Sequence, residues 1–237
     1  MKNLSSIVAA GVVAAVSASA SAAVVVGWTM PTAFPTGTGL VPTGTTYLPP
    51  GPNGAGVADQ GANFAGSQLS AVKALAASTY TSPSGNGSQY AFSANNWSPN
   101  DYYQISFSTT GFADALTLSW DQARSSTGPA PFKVSMSVNG GSFSDLFTYS
   151  VLQSGGGGAP GTWSSTTYNP IYTNTLSLGT AASNAASVVI RFVNTSTAAS
   201  AATGSNRIDN IFVTEVPAPG ALALLGVAGM VGSRRRR

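Results

Sequence analysis

From residue 90 onward, apolar and polar positions alternate with a period of two. Tyr103, Ile105 and Phe107 are interleaved with Gln104, Ser106 and Ser108. Leu116, Leu118 and Trp120 stand opposite Thr117 and Ser119, and Phe132, Val134, Met136 and Val138 alternate with Lys133, Ser135 and Ser137. Successive side chains of a strand point to opposite faces, so these runs predict half-buried strands. Asn139-Gly140-Gly141 separates the last run from residues 143–151, and Asn-Gly between alternating runs is a strong hairpin signal. Further strands are predicted over 172–178, 188–193 and 207–213. The tetraglycine at 155–158 and the polar stretch 194–205 read as surface loops. Eight or so short strands with frequent turns predict an all-β fold, a two-sheet antiparallel β-sandwich of jelly-roll type.

The chain before this block is patterned differently. Residues 27–66 are dense in Gly, Pro and Thr, including Pro49-Pro50-Gly51-Pro52, which precludes long regular elements. We expect an irregular N-terminal region over 23–66, with short strands near 24–26 and 45–48, ahead of a sandwich domain over 67–215. Leu69, Val72, Leu75 and Ala76 fall on one helical stripe, yet residues 67–78 suit a strand equally, and the pattern leaves both open.

The two ends read as addresses. Lys2 precedes an apolar run over 4–16 and then Ala18-Ser19-Ala20-Ser21-Ala22, the build of a secretory signal peptide over 1–22, cut by signal peptidase. At the other end, Val216, Pro217, Ala218, Pro219 and Gly220 lead into an uncharged Leu/Ala/Gly/Val stretch that closes on Arg234, Arg235, Arg236 and Arg237. A helix over 219–233 rises only about 20 Å, short for a hydrocarbon core of roughly 30 Å. The arginines would keep the C-terminus cytoplasmic and snorkel to the interface. A core helix followed by a basic tail is the competing reading. In order and position, the motif, apolar stretch and arginines over 216–237 resemble a PEP-CTERM sorting signal, with Pro217-Ala218-Pro219 in place of Pro-Glu-Pro. That resemblance implies export by a Gram-negative bacterium, a transient inner-membrane stage and processing by an exosortase. It implies a destination at the cell surface or in an exopolysaccharide matrix.

Charge sharpens the reading. The formal charge of +3 rests on the ends: without Lys2 and the four terminal arginines, five basic residues face seven acids, a net charge near −2. A nucleic-acid partner therefore lacks an electrostatic footprint. The sequence has no cysteine and no histidine, which excludes Ser-His-Asp and Cys-His machinery and the usual zinc sites. Carboxylates are the remaining catalytic option. Asp114 and Asp121 lie too far apart along one strand, about 23 Å, while a pair from distant segments such as Asp121 with Asp209 stays open. No cofactor is expected unless calcium binds, for which Asp101 and Asp209 are the candidate ligands. Arg124, directly after a strand, is expected to pair with Asp121 or Asp145.

Trp97, Tyr102, Tyr103, Trp120 and Trp163 are the aromatics that could present platforms to sugar rings; Trp120 falls on the alternating apolar face and reads as core. Trp97 and Trp163 sit in turn-rich sequence and are the candidate glycan contacts. The block 101–151, with Arg207-Ile208-Asp209-Asn210-Ile211, is similar to jelly-roll, galactose-binding-like domains of secreted bacterial proteins. The expectation is an exported, non-catalytic surface or matrix protein that meets exopolysaccharide. A secreted carbohydrate-binding module is the alternative, and a carboxylate hydrolase is a third reading.

Overall fold

The computed structural model describes residues 22–34 and 39–216. Apart from the border residues Ala22 and Val216, the expected signal helix and the sorting signal with its membrane segment lie outside the described residues. Among the described residues, no helix is long and apolar enough to cross a membrane.

Ala22–Val216 forms one compact unit. Its strands are β1 Ala23–Trp28, β2 Thr46–Tyr47, β3 Gln68–Val72, β4 Tyr80–Thr81, β5 Phe92–Ala94, β6 Tyr102–Phe107 and β7 Ala115–Arg124. They continue as β8 Pro131–Val138, β9 Ser144–Ser150, β10 Leu152–Gln153, β11 Thr173–Gly179, β12 Val188–Asn194 and β13 Asn206–Val216. A 3-10 turn at Pro170–Tyr172 is the helical element among the described residues.

One sheet has six strands in the order β2-β3-β6-β12-β8-β9. The other runs β10-β7-β13-β5-β4, with β1 on β13 and β11 on β7. All pairings are antiparallel except the two-residue match of β10 with β7. The expected all-β, two-sheet sandwich is what the alternation produces: Tyr103, Ile105, Phe107, Leu116, Leu118 and Trp120 all turn inward and are buried. The Trp120 ring packs against Phe192 and Tyr149, each centroid 5.2 Å away. Such aromatic pairs add about 0.5–1.5 kcal/mol each beyond the area they bury. The hairpin at Asn139-Gly140 forms as expected, both residues at positive φ (50° and 76°), which two-residue turns of this hand require.

The described part of 23–66 contributes β1 and β2 to the two sheets. β1 pairs with β13 over Ala23–Trp28, and Val25, Val26 and Trp28 are buried. The open alternative at 67–78 resolves as strand over Gln68–Val72 and irregular chain after it: β3 pairs with β6, and Leu69 and Ala71 pack into the core. The helical stripe loses because Leu75 is exposed and the backbone over 74–76 bends rather than coiling into a helix.

Candidate functional site

Register builds a site on the outer face of the six-stranded sheet. Where alternation sends Tyr103, Ile105, Phe192, Ile190, Phe132 and Val134 inward, it sends Tyr102, Gln104, Val193, Arg191, Lys133 and Ser135 outward. Val193 stands opposite Tyr102 on β6 and Lys133 on β8, and Arg191 stands opposite Gln104 and Ser135. Asp145 of β9 is registered on Ser135. All of these outward side chains but Gln104, with Asn100 and with Phe143 from the β8–β9 turn, line an open groove of about 610 Å³.

Arg191 is the centre of the groove. Its guanidinium carbon lies 4.4 Å from the Tyr102 ring centroid and 4.1 Å from that of Phe143, so both rings hold the cation. Its Nε donates to Gln104 Oε1 at 2.7 Å, which fixes the plane of the fork. Beside it, Lys133 Nζ donates to Asp145 Oδ2 at 2.9 Å and Ser135 Oγ donates to Oδ1 at 3.0 Å. These two donors hold the exposed Asp145 carboxyl below its ordinary range. The result is a shallow surface with flat apolar rings, a planar cation and a donor–acceptor pair side by side.

The other sheet brings Asp121 and Asp209 together. They are cross-strand neighbours on β7 and β13, both turned outward yet both buried, because residues 84–90 and 162–172 fold over them. Two like charges directly opposite repel, and the surroundings answer with donors. The Asn86 N–H donates to Asp209 Oδ2 at 2.8 Å, and Ser88 Oγ donates to the same oxygen at 2.5 Å. Asn86 Nδ2 and Asn210 Nδ2 donate to Asp121 Oδ2 at 3.0 and 2.8 Å, and Thr173 Oγ1 donates to Asp121 Oδ1 at 2.5 Å. Asn210 reaches this position from a bulge in β13, where its φ is 44°. Burial still outweighs these bonds: it pushes Asp209 up to about 7, with the Asp121 charge adding to the rise. Asp121 is raised as well, again chiefly by burial.

The candidate metal ligands fit other roles. Calcium takes 6–8 oxygen ligands, whereas four N–H and hydroxyl donors of this chain already point into Asp209 Oδ2 and Asp121 Oδ2, and Asp209 Oδ1 alone of these four oxygens has no partner. Asp101 lies elsewhere, buried beneath the loop before β6. Its Oδ1 accepts from Ala74 N at 2.8 Å and its Oδ2 from Ser98 N at 2.7 Å, and Lys73 Nζ lies 3.7 Å from Oδ2. Asp101 is therefore the counter-ion of a buried lysine. Burial pushes that lysine well below its ordinary range despite the carboxylate. Among the described residues, no group of three or more acidic, His or Cys side chains is placed to hold a metal.

Of the two expected aromatic contacts, Trp97 is corrected and Trp163 keeps part of its surface exposed. Trp97 is fully buried. Its Nε1 donates to Ala94 O at 2.9 Å, its ring meets Tyr103 and Phe132 edge-on, and Lys73 Nζ sits over the ring. The turn-forming asparagines that suggested exposure do make a turn, with Asn96 at φ 51°, but the turn folds the large apolar ring back into the core. Trp163 is half-buried. It donates to Ser84 O at 2.7 Å, packs edge-on to Tyr172 and lies 5.3 Å from the Arg207 guanidinium carbon, so it clamps a loop against the sheet. Arg124 pairs with neither Asp121 nor Asp145. It donates to the carbonyls of Val151, Ser125 and Ser126, closing the end of β7.

Tyr102 is among the aromatics that the sequence offers as sugar platforms, whereas Phe143 and Arg191 escape it. Tyr102 precedes an inward run, and its outward direction follows from alternation. That Arg191 sits between it and Phe143 depends on strand order, which no local pattern carries.

No family model matches the chain, and no curated protein matches it. Among solved structures, the K1 cleaved adhesin domain of Lys-gingipain from Porphyromonas gingivalis is 11% identical, with 81% of this chain and 98% of that one covered and a TM-score of 0.42. The CBM22-1–GH10 modules of endo-1,4-beta-D-xylanase 10B from Clostridium thermocellum, complexed with xylohexaose, are 14% identical, with 59% of this chain covered and a TM-score of 0.39; the match spans a quarter of that chain. TmCBM61 in complex with beta-1,4-galactotriose is 10% identical, with 65% and 91% covered and a TM-score of 0.34.

Proposed function

We propose that this chain is an exported, non-catalytic polysaccharide-binding protein that takes a glycan strand on the outer face of its six-stranded sheet. The observation that carries the proposal is the groove centred on Arg191. A pyranose ring has apolar C–H faces and a rim of hydroxyls. Tyr102 and Phe143 offer flat apolar surface to the faces, and Arg191, Lys133 and Asp145 offer fixed donors and acceptors to the rim. The groove's volume lies within the usual range for ligand sites, and its lining spans four neighbouring strands from β6 to β9, which suits a chain rather than an enclosed monomer.

The non-catalytic reading is supported by what became of the carboxylates. Asp121 and Asp209 are close, but both are covered by loops and tied to the shared Asn86. A glycosidase pair must flank a bound glycosidic linkage, whereas only Asp121 borders a groove and Asp209 is sealed beneath Asn86 and Ser88. The export and sorting part rests on the tail over 216–237 and its resemblance to an exosortase signal. Deleting that tail should leave the protein unsorted, and the mass of the protein recovered from cells should show loss of both ends; an intact mass would end the sorting proposal.

Affinity electrophoresis of the full chain through gels holding soluble xylan, galactan, dextran or alginate tests the binding part. At least one gel should retard the protein, and Arg191→Ala or Tyr102→Ala should weaken that retardation about tenfold, or roughly 1.4 kcal/mol. Unretarded protein in all four gels would overturn the proposal.

A further inference from the structure

The opposite sheet has a groove of its own. It measures about 410 Å³ and is lined by Ser119, Asp121, Tyr168, Thr173, Asn210 and Phe212, together with the 86–87 loop. We infer that this is a second sugar-binding groove, so that one copy of the chain holds two polysaccharide strands, one on each face. The inference takes its ligand class from the reading above, but its site is built from different residues.

The walls are aromatic and held in place from behind. Tyr168 is 53% exposed, yet it is not loose. Its hydroxyl is hydrogen-bonded to Thr173 Oγ1 at 2.7 Å, and its backbone lies against Gly87, where an added Cβ would come within 2.9 Å of it. Gly87 is in turn fixed by donating its N–H to Ser164 O at 2.8 Å. Across the groove, the Phe212 ring lies on Gly27, close enough that a Cβ there would meet it at 2.5 Å. Rings fixed in this way present apolar surface with little rotamer entropy left to lose on binding.

The floor is polar and preorganised. The buried Asp121 carboxylate anchors Thr173, Asn86 and Asn210 at once. Asn210 spends both amide hydrogens on Asn86 O and Asp121 Oδ2, which leaves its Oδ1 without a protein partner among the described residues. The Ser119 hydroxyl is likewise without one. These groups offer a neutral acceptor and a neutral donor–acceptor, and no lysine or arginine lines the groove. The face therefore suits an uncharged hydroxyl-rich sugar, in contrast to the cationic groove around Arg191.

Topology makes the two grooves independent. Both sheets turn their inner faces to one core, joined across it by contacts such as Trp120 with Phe192 and Tyr103 Oη donating to Asn206 O at 2.6 Å. Their outer faces therefore point in opposite directions, separated by the sheet-to-sheet spacing of about 10 Å plus the side chains on each side. A glycan seated on one face does not reach the other, and a chain bound on both faces links two strands.

The test uses the full chain with the same four soluble polysaccharides, read by affinity electrophoresis and by light scattering of the mixtures. Wild type should raise the scattering of an uncharged polysaccharide that retards it, whose hydroxyls both grooves can take, by cross-linking its strands. Tyr168→Ala should abolish that rise and weaken retardation severalfold while keeping the wild-type urea midpoint, and Tyr168→Phe should retain most of the binding. Arg191→Ala should also abolish the rise, and the double variant should run unretarded. Tyr168→Ala that scatters and binds like wild type would overturn the second groove and leave the Arg191 groove standing. Retardation lost with Tyr168→Ala but untouched by Arg191→Ala would overturn the first groove and keep the second. A wild type that no gel retards would overturn both.

Discussion

Replacing Asp209 by asparagine tests the account of the buried carboxylate pair at its most sensitive point. The Asp209 carboxyl rises from 3.8 to about 7 on folding. Between those two values the folded chain keeps a proton that the unfolded chain has released. Stability therefore falls as pH climbs through this window and is level above it. Roughly three pH units at 1.36 kcal/mol each give a loss of about 4 kcal/mol between pH 4 and pH 7, a large part of the 5–15 kcal/mol typical of a domain. Asp121, also raised by burial, acts with the same sign. Asparagine keeps an oxygen where Oδ2 accepts from Asn86 and Ser88, but it puts an NH2 where Oδ1 has no partner. That unpaired donor costs about 1–3 kcal/mol. At pH 4 the variant should thus be less stable than wild type, and by pH 8 it should match or exceed it, so the two profiles cross. Urea unfolding followed by tryptophan fluorescence from pH 4 to 8 measures this. The difference between the two proteins isolates Asp209 from Lys73, whose depressed value makes its own contribution grow with rising pH in both. Parallel profiles would refute the reasoning.

Three further outcomes follow from the same contacts. Trp97→Ala should cost about 3–5 kcal/mol, as large-to-small changes of buried aromatics do, while the milder Trp97→Phe should leave polysaccharide retardation unchanged; a selective loss of binding in Trp97→Phe would put the ring back in the ligand site. Asp101→Asn should destabilise by about 3–5 kcal/mol because Lys73 then loses its counter-ion, and adding Lys73→Met should recover part of that loss in urea titrations; additive losses would show that the two do not act as a pair. Chelation with EDTA should leave the melting temperature where it was, because the carboxylates are already engaged by donors of the chain. A drop reversed by added calcium would contradict that assignment.

The two-residue alternation of 103–107, 116–120 and 132–138, and the Asn-Gly turn after it, determined the strands, their inward faces and the sandwich class, because a strand's side-chain period is local and one buried face enforces it. The absence of His and Cys was equally legible and removed whole classes of chemistry. Trp97 shows where local reading stops: its turn was legible, but whether a ring at a turn faces water or core depends on what lies beneath, here Lys73, Tyr103 and Phe132. The pairing of Asp121 with Asp209 was open in the sequence because it depends on β7 and β13 being neighbours 88 residues apart in number. The Arg191 groove needed more still: the order β6-β12-β8 sets Tyr102, Arg191 and Lys133 on one face, and the β8–β9 turn brings Phe143 over them. Alternation settles which side of a strand each residue occupies, and strand order alone settles which residues share that side, because hydrogen-bonded neighbours are chosen by the packing of the whole core.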